Sequence, residues 1–164
     1  MKTVLLLSLV TIALTTGCRP KPPVMEPRPA AKEEEPQKHA HTAPHGGTLV
    51  EIGEHTYNIE FVRDAAAGKL SAYILDGHAE NFVRISAKSF DVIATLPNGE
   101  QTLTLHAQAD SATGEKVGDT SLFVGQADWL KTTAAFDGSI ARLNIRGTSV
   151  LNIAFNFPKG NEPM

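Results

Sequence analysis

Residues 45–80 read HGGTLVEIGEHTYNIEFVRDAAAGKLSAYILDGHAE, and they decide the fold because they carry successive strand patterns joined by turns. Between His55 and Val62, apolar and polar residues alternate, with His55 on the apolar face; this alternation is typical of a half-buried strand. Lys69 to Asp76 has apolar residues on both faces and predicts a central strand. Thr48 to Ile52 predicts a shorter strand before them. This stretch therefore indicates antiparallel β structure.

The same period of two continues to the end of the domain. Phe90 to Leu96 and Thr102 to Ala107 predict a hairpin around Pro97–Glu100, and Val150 to Phe157 alternates most regularly. About seven or eight short strands with Gly, Asn and Asp turns predict an all-β domain over residues 45–158. We expect an antiparallel immunoglobulin-like β-sandwich, with a small open β-barrel as the alternative. Residues 159–164 are predicted to be a flexible tail.

The first 17 residues have the layout of an export signal. Lys2 is followed by the apolar run Val4 to Leu14 and then by small residues before Cys18. The run of about 11 residues is shorter than the roughly 20 that a membrane-spanning helix needs. The sequence therefore predicts export without a transmembrane anchor.

The position of Cys18 resembles the lipobox of bacterial lipoproteins, although Thr15 stands where lipoboxes usually carry Leu, which Leu14 supplies one residue earlier. Cys18 is the only cysteine, so no intramolecular disulfide can form, and lipidation would remove a thiol exposed to an oxidising compartment. The resemblance implies a signal peptide over residues 1–17, acylation of Cys18 (palmitate among the acyl groups) and attachment to a bilayer, with the periplasmic side of the outer membrane favoured. The alternative is an ordinary secretory signal with an incidental cysteine.

Residues 18–44 are predicted to be a tether that follows the lipidated cysteine. Seven of the ten prolines lie here, mixed with Lys, Glu and Ala and without apolar periodicity. Such a segment buries too little surface to offset its ordering entropy, so we expect disorder or loose polyproline II. Fully extended, it would reach roughly 80 Å from the membrane.

Histidines are the candidate metal ligands in this sequence. The end of the tether carries His39, His41 and His45. Near predicted strand ends or turns lie His45, His55 and His78. Imidazoles on a flexible backbone or at one rim of a domain can bind copper or zinc. In the alternative interpretation the tether histidines occur by chance, His55 completes the edge of the core face and His78 decorates a turn.

Other chemistries find little support in the sequence. There is no Gly-rich phosphate loop, GxSxG, HExxH or CxxC motif, so we expect no enzymatic activity. A net charge of −3 and the absence of a basic stripe with aromatic residues argue against nucleic-acid binding.

The PHGG opening, GEHTYNIEFV and GKLSAYILDGHAEN resemble a group of small exported bacterial β-sandwich proteins, related segments of which accompany periplasmic heavy-metal efflux components. The residues that carry the resemblance are His45, Gly46, Gly47, Glu60, Gly68, Tyr73 and Asp76. It implies a cell-envelope setting and metal handling. The sequence thus predicts a membrane-anchored lipoprotein whose domain binds a transition metal; the alternative is a structural or interaction lipoprotein that docks to another envelope protein without a ligand.

Overall fold

The computed structural model describes residues 41–161; Cys18, His39 and the predicted signal peptide lie outside this range. The elements are β1 (Thr48–Ile52), β2 (Tyr57–Asp64), β3 (Lys69–Asp76), β4 (Ser89–Leu96), β5 (Gly99–Ala107), β6 (Leu122–Gln126), α1 (Trp129–Thr132), β7 (Phe136–Ile145) and β8 (Thr148–Phe157). Within residues 41–161, no helix is long and apolar enough to cross a membrane.

All eight strands lie in one antiparallel sheet with the order β1-β2-β3-β6-β5-β4-β7-β8. Strands β4, β5 and β6 are consecutive neighbours, and β7 returns to lie beside β4. This arrangement is a Greek key.

The sheet curls until its first and last strands approach each other. The Thr48 hydroxyl donates to the carbonyl of Pro158 at 3.2 Å. The Asn161 side chain pairs with the backbone of Glu51 in both directions, accepting from its N–H at 2.7 Å and donating to its carbonyl at 2.9 Å. The all-β prediction is confirmed, in the form of the nearly closed barrel that was the alternative to the sandwich.

The barrel interior holds one apolar core. Alternate residues of β2 and β3 point into it, and aromatic rings link distant strands: Phe61 stacks on Phe155 with centroids 4.8 Å apart. Trp129 lies at the edge of this core and meets Phe136 edge-on at 5.2 Å. Burial of such side chains contributes about 1.5–3 kcal/mol each.

The outer face of β2 is also buried, although strand alternation directs it away from the core. Ile59 and Phe61 belong to the core, so Asn58 and Glu60 point outward, yet these two polar residues are only 1% and 0% exposed. Two segments contact them: the N-terminal arm, residues 41–47, and the chain that follows β3, residues 77–82, here called the 77–82 loop. The candidate site lies in this outer layer.

Candidate functional site

Glu60 is the centre of the site. Its carboxylate accepts three hydrogen bonds from the N-terminal arm: from His45 N at 2.7 Å, from His45 Nδ1 at 2.8 Å and from Gly47 N at 2.9 Å. A carboxylate buried in this way is stable only when its oxygens are hydrogen-bonded or paired with a cation. The arm therefore both covers Glu60 and satisfies it.

The hydrogen bond to Glu60 fixes the chemistry of the His45 imidazole. A carboxylate can only accept, so Nδ1 must carry the proton, and in the neutral ring Nε2 keeps a free lone pair. A carboxylate that accepts a hydrogen bond from one ring nitrogen is also the usual means by which proteins orient an imidazole whose other nitrogen binds a metal or a proton. The His45 side chain is 38% exposed, so this oriented ring remains accessible.

Gly47 lets the arm lie this close to β2. A Cβ at this position would come within 2.5 Å of the carbonyl oxygen of Phe61 and 2.9 Å of Cγ of Glu60. Such distances are shorter than van der Waals contact, so any side chain would push the arm away from the carboxylate. Gly46 has a different reason to be glycine, because its φ of +69° is in the left-handed region.

Tyr73 on β3 packs against the ring of His45. The two rings stack with centroids 4.0 Å apart and planes 17° from parallel, and Phe82 lies against both, 5.7 Å from His45 and 6.0 Å from Tyr73. Burial, and then the negative charge of Glu60, raise the pKa of the Tyr73 phenol above its ordinary value. Three rings thus form an aromatic wall beside the buried carboxylate.

A cavity of about 480 Å³ opens in front of this wall. Its lining also includes the charged residues Arg84, Asp110 and Glu115. Glu115 accepts from both the N–H of Ser121 at 3.1 Å and its hydroxyl at 2.7 Å. A volume of this size is in the range of small-molecule sites in proteins.

The Arg84 guanidinium lies close to three acceptors. Its Nε lies 3.5 Å from Glu115 Oε1, its Nη1 lies 3.6 Å from Asp119 Oδ2, and its Nη2 donates to the carbonyl of Thr113. The guanidinium charge is therefore balanced locally by two carboxylates.

The 77–82 loop is held by two polar side chains, Asn58 on β2 and Asp76 at the end of β3. Asn58 Nδ2 donates to the carbonyls of Asp76 and Gly77 at 3.1 and 3.0 Å. The Asp76 carboxylate accepts from the N–H of Glu80 at 2.9 Å and from the Asn81 side chain at 2.6 Å. Asn58 and Glu60, two residues apart on β2, thus anchor the loop and the arm respectively.

The arm and the loop meet at a pair of histidines. The rings of His41 and His78 lie edge to face, with centroids 5.9 Å apart. The sequence placed both among the candidate ligands, and the structure brings these two together.

The other predicted ligands have different surroundings. His55 lies in the β1–β2 turn with a φ of +64°, not on the apolar face of β2, and its Nδ1 is 3.1 Å from Glu51. His45 is held through Nδ1 by Glu60, which leaves only its Nε2 for a ligand, and His39 lies outside the described residues. Across residues 41–161, no three His, Cys, Asp or Glu side chains converge as a metal-ion site would require.

Several site residues were missed by sequence reasoning about ligands. Glu60 and Tyr73 appeared there only as points of resemblance, and Phe82, Arg84 and Glu115 did not appear as site residues. A carboxylate in the middle of an apolar strand, with HGG some fifteen residues earlier, was the available signal for Glu60. The cavity residues come from separate strands and loops and gave no local signal.

Comparison with known proteins finds no match: no protein-family model, curated protein or solved structure is significantly similar to this chain.

Proposed function

We propose that this protein is a lipoprotein of the bacterial cell envelope, anchored through acylated Cys18, whose barrel binds a transition-metal ion through histidine side chains. Copper and zinc are the ions that such ligands favour. The observation that carries the proposal is the contact between His41 and His78.

The spacing of this pair suits a shared metal ion. With metal–nitrogen bonds of about 2.0–2.1 Å, two imidazoles on one tetrahedral ion have ring centres about 5 Å apart. The observed 5.9 Å requires a small movement of one ring. His39 lies two residues before His41 in the sequence and is a further candidate ligand, while water or a small anion can complete the coordination.

Metal binding here would link the arm to the 77–82 loop. His41 lies at the start of the arm and His78 near the start of the loop, and each segment is tied separately to β2 through Glu60 or Asn58. Because those anchors hold the two imidazoles close together before any ion arrives, less entropy is lost when the ion binds.

Titration calorimetry with Cu(II) and Zn(II) on the full chain purified in detergent tests the proposal. We expect binding tighter than about 100 μM, weakened at least tenfold by His41→Ala or His78→Ala. His106→Ala is the matched control, because His106 is an exposed histidine on β5. The proposal is wrong if no binding stronger than this threshold occurs, or if the two variants bind like the control.

The remaining predicted ligands can be ranked in the same titration with His39→Ala, His45→Ala and His55→Ala.

An unliganded interaction lipoprotein is the second candidate function, in which exposed apolar side chains such as Val117 and Leu151, 55% and 53% exposed, would contact the partner. Absence of metal binding would favour that alternative.

The anchor has its own test. Cys18→Ser should abolish incorporation of an alkyne-labelled fatty acid and release the protein from membranes, because the thiol that forms the thioether to lipid is lost. Continued labelling of the serine variant would contradict acylation at Cys18.

A further inference from the structure

The cavity in front of His45 has a charge balance that points to a cationic ligand. Asp110 and Glu115 line it directly, Glu60 lies behind the His45 ring, and Asp119 lies behind Arg84. Arg84 is the one permanent cation among the groups lining the cavity, and Glu115 and Asp119 already lie beside it. An anion would meet these carboxylates, whereas a cation is attracted by them.

Asp110 is the carboxylate best placed to pair with such a ligand. Its Oδ1 accepts from the N–H of Ala112 at 2.8 Å, and within residues 41–161 its Oδ2 has no hydrogen-bond donor. Glu115 differs, because Ser121 and Arg84 occupy its Oε1.

The aromatic wall offers the second contact that an organic cation needs. Tyr73 and Phe82 line the cavity, and Phe82 is 48% exposed although it is a large apolar side chain. The face of such a ring attracts an ammonium group electrostatically, and most strongly where water is excluded. The backbone of Phe82 is fixed by its bridge to Leu75, so its side chain starts from a defined point beside the cavity.

An inorganic ion is a poorer fit to the same cavity. Among the described residues, its His, Asp and Glu side chains do not converge in a set of three that could coordinate a metal. Recognition by ring faces and one carboxylate requires no such convergence, and it suits a cation with an apolar surface.

We propose that this cavity binds a small organic ammonium ion, with the cationic group against Tyr73 and Phe82 and beside Asp110. The site is separate from the His41–His78 pair and does not depend on metal binding. A volume of about 480 Å³ accommodates a ligand of the size of choline or a short alkylamine.

The test compares choline with an uncharged ligand of the same shape, and adds a second ammonium ion and an anion. The full chain in detergent is titrated with choline, with its uncharged carbon isostere 3,3-dimethyl-1-butanol, with n-butylammonium and with succinate, and binding is followed by calorimetry. We expect saturable binding of choline or n-butylammonium, and at least tenfold weaker binding of the isostere and of succinate.

Variants then assign the binding to this cavity. Asp110→Asn removes the charge and Phe82→Leu removes the ring while keeping an apolar side chain, so each should weaken binding at least threefold. Leu151→Ala is the control, because Leu151 is an exposed apolar residue on β8, and it should leave binding unchanged. Thermal melts verify that each variant is folded.

Three results would overturn the proposal. Equal affinity for choline and its isostere would show a merely apolar cavity, tighter binding of succinate would show an anion site at Arg84, and no saturation by any ligand up to about 10 mM would show no site of useful affinity. The double variant His41→Ala/His78→Ala should bind the ammonium ion normally, so failure of the metal proposal and failure of this one are distinguishable.

Discussion

His45 and Glu60 are joined twice, because the backbone N–H of His45 and its ring Nδ1 donate to opposite oxygens of the same carboxylate, at 2.7 and 2.8 Å. Glu60 points away from the barrel core and is nevertheless fully buried, since the N-terminal arm lies over it. The chain is thus fastened to the outer face of β2 at the point where the predicted tether ends, and the same contact orients the His45 ring in the cavity.

Replacing Glu60 should reveal how much this connection stabilises the barrel. Glu60→Gln retains one acceptor oxygen but loses the charge and the second oxygen, so at least one buried donor loses its partner. We expect the free energy of unfolding to fall by about 1–3 kcal/mol, measured by urea denaturation. Glu54→Gln, an exposed position in the β1–β2 turn, is the control and should change it by less than about 0.5 kcal/mol. Equal effects of the two substitutions would contradict a stabilising role for the buried carboxylate.

The two glycines of the arm should differ in their tolerance of alanine. Gly46→Ala meets open space and suffers only the left-handed φ, which costs about 1–2 kcal/mol. Gly47→Ala meets the carbonyl of Phe61 at 2.5 Å and must displace the arm from Glu60, so we expect a larger loss. Thermal denaturation of the two variants measures the difference. A melting temperature for Gly47→Ala at or above that of Gly46→Ala would show that the arm does not need this close approach.

The strands of the opening stretch could be predicted from the sequence because alternation is a local property. Thr48–Ile52 and Lys69–Asp76 occur with the predicted bounds. The choice between sandwich and barrel could not be predicted, because it depends on how far the sheet curls and on the contact of β1 with residues 158–161.

Alternation failed where the backbone leaves the extended region. Asn152 on β8 has a φ of +55°. Near this residue, the side chains of β7 and β8 that face the core change from one alternate set of positions to the other. Leu151 and Ala141 are exposed, although strict alternation from the buried residues Ile153 and Leu143 would bury them too. A single left-handed residue within a strand has no reliable sequence signal unless it is glycine.

The site was less predictable than the strands for a physical reason. Alternation correctly placed Glu60 on the face opposite Ile59 and Phe61, and for most strands that face is solvated. Its burial results from a segment that precedes β1 and folds back over β2, which is a tertiary contact. The meeting of His41 with His78 has the same origin.

Tyr73 should ionise above the ordinary tyrosine pKa of about 10, because burial and the nearby charge of Glu60 both disfavour the phenolate. Absorbance at 295 nm in a Tyr57→Phe background reports Tyr73 alone, since the chain has two tyrosines. We expect Glu60→Gln to lower this pKa by removing the second of the two causes. An unchanged titration in that variant would show that the charge of Glu60 does not reach the phenol.

The raised Tyr73 pKa also gives a direction to alkaline stability. The folded state holds the phenolic proton more tightly than the unfolded chain, so the associated stability is fully present below about pH 10 and is lost as the pH rises through the folded-state pKa. In the same Tyr57→Phe background, Tyr73→Phe should reduce the pH dependence of unfolding in this window, measured by urea denaturation between pH 9 and pH 11. A dependence of equal slope in both proteins would assign it to other groups.

Asp76 should make the opposite contribution at acid pH. Partial burial acts to raise its pKa, but hydrogen bonds from the Asn81 side chain and from the N–H groups of Glu80, Asn81 and His78 outweigh burial and hold the pKa below its usual range. The folded state thus prefers the carboxylate, and this stability is present above about pH 4 and is lost as the pH falls through the folded-state pKa. Urea denaturation of Asp76→Asn between pH 2.5 and pH 5 should show a weaker dependence on pH than the parent protein. Because Asp76 also orders the 77–82 loop, the same variant should weaken the proposed metal binding at His78 while leaving its imidazole in place. An acid transition identical to that of the parent protein would show that the loop hydrogen bonds do not favour the ionised form.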